Sequence, residues 1–116
     1  MIIIGFATNT SKILPRILCR HFRHAAPIAP TKNPKKPFIM YQYIKRRQIA
    51  KIELSPRDIK LLQNRGWRFV YIPRDLPHGF NPMHAHSCVD LSKRAIGLDA
   101  PFIMRPDALY KYLCQK

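Results

Sequence analysis

Hydrophobic and polar positions alternate or recur along this chain in a pattern that predicts both strands and helices. Ile2 to Ala7 (IIIGFA) is a short β-branched run that reads as a buried strand. Thr8 or Thr10 then caps a predicted helix whose apolar positions Ile13, Leu14, Ile17, Leu18 and Phe22 recur at three and four, with Pro15 held in its first turn. His24-Ala-Ala-Pro-Ile reads as an extended segment, and Thr31 to Pro37 (TKNPKKP) as a basic, proline-punctuated loop. Phe38 to Ile44 and Gln48 to Leu54 form two further strands, joined across Lys45-Arg46-Arg47. In the second, Ile49, Lys51 and Glu53 alternate with Ala50, Ile52 and Leu54, so one face is expected to be buried and the other wet.

The second half carries clearer punctuation. Ser55-Pro56-Arg57-Asp58 opens a helix with a serine cap, proline at the first helical position and an acid near the positive end, and Gly66 closes it. Trp67 to Pro73 (WRFVYIP) is the strongest strand signal, with Trp67, Phe69 and Tyr71 on one face suited to core packing. Arg74 to His86 reads as loop. Ser87 caps a helix that stops at Gly97, and Pro106 to Cys114 makes the last helix, with Leu109 and Leu113 on one stripe. Strands and helices do not alternate regularly and no repeat is present, which favours a single α+β domain spanning residues 1–116.

Charge changes the picture most. Twenty-one Lys and Arg face six Asp and Glu, a net charge of +15, and the first acid is Glu53. Such a surface attracts polyanions, whether nucleic acid, anionic lipid or an anionic cell-wall polymer. Arg16, Arg20, Arg23, Lys35, Lys36, Arg46 and Arg47 are the residues expected to cluster if the protein is a non-catalytic nucleic-acid binder. The start lacks a basic region ahead of its apolar run, so it reads as a strand rather than a secretory leader, and only faintly as an organelle presequence. No segment approaches the ~20 apolar residues of a membrane span.

Three cysteines (Cys19, Cys88, Cys114) at wide spacing suit neither a disulfide scaffold nor a zinc ribbon, and fit free thiols in a reducing compartment. His84, His86 and Cys88 lie close together, but no fourth ligand follows at a suitable spacing, so no metal and no cofactor is expected. Cys88 is the candidate for chemistry. It would occupy the first position of the helix capped by Ser87, where unpaired N–H groups and the helix dipole favour a thiolate. Such a sulfur needs a proton carrier to become an acyl-transfer nucleophile, and His21, His24, His78, His84 and His86 are available.

The segment HSCVDLSKRAIGLDAPFIMRPDALYKYL resembles the cysteine-helix region of circularly permuted papain-like proteins, relatives of the NlpC-type cell-wall peptidases and of lecithin:retinol acyltransferase. In that family a cysteine opens a helix of the form S/N-C-V-x-L-V-K-R-x-L-G-I, and a final helix begins near a proline and ends in L-Y-x-x-L. The opening IIIGFATNTSKILPRILCRHFRHAAPI is similar to the family's first strand, helix and histidine-led strand. The resemblance is loose over most of the chain and specific around Cys88 and His24. Ser92 stands where an aliphatic residue is usual, and Arg105 where a small polar one is.

The resemblance implies a small permuted papain-like domain with an antiparallel sheet packed on the cysteine-bearing helix. It implies Cys88 as nucleophile and His24 as general base, with a polar residue on the strand after the histidine to orient the imidazole. Gln42 is the first candidate for that third role, with Gln48 and Glu53 in reserve. The implied activity is hydrolysis or acyl transfer at an amide or ester, most naturally in the peptide stems of peptidoglycan, in a bacterial or bacteriophage setting. The basic surface would hold anionic wall polymer, and a protein made in the cytoplasm would reach the wall by release or delivery.

Overall fold

The computed structural model describes residues 1–7 and 24–114. Five strands form one antiparallel sheet in the order β4-β3-β2-β1-β5, from β1 (Ile2–Ala7), β2 (His24–Pro30), β3 (Phe38–Lys45), β4 (Gln48–Leu54) and β5 (Arg68–Ile72). Three helices accompany it: α1 (Pro56–Asn64), α2 (Cys88–Ala95) and α3 (Pro106–Cys114). The architecture is α+β. The predicted helix after Thr8 lies outside the described residues, as do His21, Arg16, Arg20 and Arg23.

β1 lies between β2 and β5, and all six of its residues are buried, which explains why its sequence is apolar without alternation. Ile2, Ile4 and Phe6 point to one side, with Ala25 and Ala29 of β2, and meet Val89 and Ala95 of α2 and Leu109 of α3. Ile3 points to the other side with Ala26, Ile28 and Met40, over which Ile59 of α1, Trp67 and Phe69 close. Burying each of these isoleucines contributes about 1.5–3 kcal/mol.

The caps form where their residue types require. Ser55 accepts from the Asp58 N–H at 3.2 Å, and Asp58 accepts from the Ser55 N–H at 2.9 Å, a closed capping box. Ser87 accepts from the Asp90 N–H at 3.0 Å and so fixes Cys88 as the first residue of α2. Gly66 and Gly97 end α1 and α2 with positive φ, 98° and 65°.

Two expectations change. Tyr71 does not join Trp67 and Phe69 in the core: it is 53% exposed on β5, which is an edge strand. β4 is the opposite edge, so Ile52 is exposed and only Leu54 is buried, and the expected wet-and-dry alternation is largely lost. The loop after β5 also contains a short 3₁₀ turn, Pro82–His84.

Candidate functional site

The site is assembled where β2 begins. His24 is the first residue of β2 and sits opposite Ala7, the last of β1. Its imidazole Nε2 lies 3.2 Å from the side-chain nitrogen of Gln42 on β3. With the amide N–H donating, the imidazole carries its proton on Nδ1. Turned end for end, the amide carbonyl accepts from Nε2–H and the free lone pair passes to Nδ1. Trp67 presents its ring to the imidazole edge-on, with centroids 6.0 Å apart and planes at 89°. Burial holds His24 below the ordinary imidazole value of 6.5, because the half-buried ring loses water when charged.

Trp67 is held in place by Gly5. A Cβ at residue 5 would stand 3.0 Å from carbons of both the Trp67 and Phe69 rings, which stack across β1 with centroids 6.2 Å apart. Only a strand residue with no side chain leaves room for the indole to lie there. The sequence reading assigned Trp67 to the core and missed its second role as a cover for the histidine.

Cys88 approaches from the other side of the sheet, since α2 packs on the face of Ala25 and Ala29 while His24 and Gln42 share the face of Ala26 and Ile28. The sulfur lies at the end of β2, against the backbone N–H of Ala25, the residue that follows His24. Among the described residues, no hydrogen bond joins the thiol to the imidazole. The structure therefore brings His24 and Gln42 together and sets Cys88 beside the neighbouring peptide unit.

The electrostatics of the thiol correct the sequence reading. Burial pushes Cys88 above its ordinary value of 9.0, and backbone hydrogen bonds from Ala25, Val89 and Cys88 itself only oppose that shift. Loss of water around the thiolate is the largest influence on the sulfur, and it works against the helix dipole at the start of α2. Both shifts favour the uncharged forms near neutral pH, a thiol and a neutral imidazole.

The remaining candidates lie elsewhere. Gln48 and Glu53 are exposed on β4, separated from β2 by β3, and Gln42 is the one of the three hydrogen-bonded to His24. His78, His84 and His86 are exposed on the loop between β5 and α2. Ser92 is wholly buried, and its hydroxyl donates to the Cys88 carbonyl at 3.0 Å, which makes a polar residue acceptable on that helix face. Arg105 pairs with Asp107 at the start of α3, at 3.4 Å. Among the described residues no helix is long and apolar enough to cross a membrane.

Comparison of the chain with models of known protein families, with curated proteins and with solved structures finds no match.

Proposed function

We propose that the protein is a thiol-dependent hydrolase or acyltransferase with a permuted papain-like domain, acting on an amide or ester, with peptidoglycan peptide stems as the substrate class. The observation that carries this reading is the His24–Gln42 pair, 3.2 Å apart under the Trp67 ring, at the end of the strand whose next amide faces the Cys88 thiol. A polar side chain that orients an imidazole beside a cysteine at a helix start is the Cys-His-Asn logic of papain-like proteases, with glutamine in the third role.

With Gln42 accepting from Nε2–H, Nδ1 of His24 takes the Cys88 proton as the sulfur attacks the carbonyl carbon. The oxyanion that forms is stabilised by backbone N–H groups at the start of α2. The imidazolium then returns its proton to the departing amine or alcohol, leaving a thioester on Cys88. Water or an acceptor, deprotonated by His24, releases the acyl group. Because both groups rest neutral, the proton moves during attack rather than before it. Because α2 packs on the other face, Nδ1 must reach the sulfur past the end of β2 while Nε2 keeps its bond to Gln42.

The test is incubation with purified peptidoglycan stem peptides, following new amines and the mass of the protein. Cys88→Ser should remove turnover and the acyl adduct, and His24→Ala should slow turnover by about 10²–10⁴-fold. An unchanged rate in Cys88→Ser, or no acyl adduct on Cys88 with any stem peptide, refutes the assignment.

A second reading is favoured by the net charge of +15: a non-catalytic module that binds nucleic acid or another polyanion. It predicts affinity for an oligonucleotide that falls steeply as salt rises and is untouched by Cys88→Ser.

A further inference from the structure

The β3–β4 hairpin, the loop before α2 and α2 itself meet around a recess of about 280 Å³. Its walls carry Arg46 and Arg47 from the hairpin turn, His84 and His86 from the loop, and Arg94 from α2, with buried Ala85 beneath. These residues come from three separate segments, and the fold brings three arginines and two histidines to the walls of one opening. Asp90, one turn before Arg94 on α2, is already committed. It accepts from the Arg94 Nε at 2.9 Å and from the His86 N–H at 3.0 Å. Among the described residues, Arg46 and Arg47 have no ion-pair partner.

Arg47 adds a second, independent sign. It is the one described residue other than glycine with positive φ, 63°. Glycine would hold that left-handed turn conformation freely, whereas a long side chain is strained there. The turn itself gives no reason for an arginine there, and that arginine lines the recess.

We propose that this recess is an oxyanion site that takes a phosphoryl group. A carboxylate has two oxygens and is saturated by one or two guanidinium forks, while a phosphoryl group offers three oxygens in three directions, suiting a wall whose cationic residues come from three segments. The volume suits one phosphoryl group and its substituent rather than a run of chain. The recess shares no residue with Cys88, His24 or Gln42, so it stands or falls independently of the proposed hydrolysis.

The test is titration of the full chain with inorganic phosphate at low ionic strength, read by backbone amide shifts, with acetate as the comparison anion. Phosphate should move the amides of Arg47, His84 and His86 and bind at least about tenfold more tightly than acetate. Arg47→Gly relieves the strained turn, so it should fold at least as well as the native chain while binding phosphate about tenfold more weakly. Lys35→Ala, on the exposed loop before β3, should leave binding unchanged, and so should Cys88→Ser. Glycerol phosphate and a dimethyl phosphodiester separate a terminal phosphate, which should match inorganic phosphate, from a chain-borne one, which should match it only if two free oxygens suffice. No phosphate-dependent shifts, equal affinity for acetate, unchanged binding in Arg47→Gly, or equal losses in Arg47→Gly and Lys35→Ala would each overturn the proposal.

Discussion

Placing one methyl group at residue 5 should damage both stability and the site. Gly5 lies at the middle of β1, paired with Ala26 on one side and Phe69 on the other. In Gly5→Ala the new Cβ would be 3.0 Å from Phe69 Cε1 and from Trp67 Cε3 and Cζ3, well inside ordinary van der Waals contact. Those atoms belong to two stacked, rigid rings, so relief requires both to lift off the sheet. Overpacking of this kind costs about 1–3 kcal/mol. The gain from replacing glycine inside a strand is about 0.5–1 kcal/mol, and because two rings must shift at once the upper part of the cost applies, leaving a net loss of about 1–2.5 kcal/mol. For a chain of 116 residues, unfolding entropy near 2.1 cal/mol/K per residue makes each kcal/mol about 4 °C of Tm. Thermal unfolding followed by circular dichroism should therefore show a fall of several degrees, with Trp67 fluorescence shifted to the red as the ring becomes wetter. His24 loses its cover at the same time, so thiol-dependent turnover should fall too. An unchanged or raised Tm in Gly5→Ala, with native fluorescence, would refute the packing argument and the link from Gly5 through Trp67 to His24.

Iodoacetamide near neutral pH should label exposed Cys114 well before half-buried Cys88, the reverse of what an ionised sulfur at the helix start would give; faster labelling of Cys88 would show that the thiolate is stabilised after all. Turnover should hold a broad plateau, because the reactive state has an unprotonated imidazole and a protonated thiol: the acid limb should have its midpoint below 6.5, as His24 gains its proton, and the alkaline limb above 9.0, as Cys88 loses its own. An acid midpoint at or above 6.5 would contradict the lowered titration of His24. Lys93 Nζ donates to the carbonyls of Ala100 and Ile103 at 3.0 and 2.7 Å, pinning the segment between α2 and α3; Lys93→Met should cost about 1.5–3 kcal/mol in urea unfolding, and a variant as stable as the native chain would show those bonds to be idle.

What the sequence revealed was local. Ser55 and Ser87 mark helix starts because a hydroxyl satisfies an N–H three residues ahead, and Gly66 and Gly97 mark ends because only glycine turns left-handed without strain; all four act within a few residues of themselves. The continuous apolar run of β1 announced a strand buried on both faces. What failed to show was set by partners distant along the chain. Tyr71 carries the same alternation as Phe69, yet no pattern in β5 says that it will be an edge strand. Cys88 has the helix start that lowers a thiol's titration, but the burial that raises it comes from β2, sixty residues away. Gln42 stood ahead of Gln48 and Glu53 only through the family resemblance; the physical reason for it, a 3.2 Å contact with His24, needed the register of β3. The arginine and histidine recess had no signature, since its walls come from three segments.

That register also explains why residue 42 is a glutamine. β2 and β3 pair from Pro30↔Phe38 to Ile28↔Met40, and the ladder stops there. The next residue of β2 is Pro27, which has no N–H to donate. Had pairing continued, Gln42 would stand opposite Ala26, on the same face as His24 and one diagonal step from it. Diagonal neighbours on adjacent strands are about 7–8 Å apart, within reach of a long side chain and not of a short one. An asparagine at 42 would fall about 1.5 Å short along its shorter stem. The three-carbon reach of glutamine spans the diagonal and closes the 3.2 Å contact with Nε2. The absence of a ladder bond at Pro27 leaves this end of β3 tied to β4 rather than to β2, so the Gln42–His24 contact is itself a link between the two strands where the backbone supplies none. The polar pair therefore serves the sheet as well as the imidazole, and the demands of strand geometry and of histidine orientation select the same side chain.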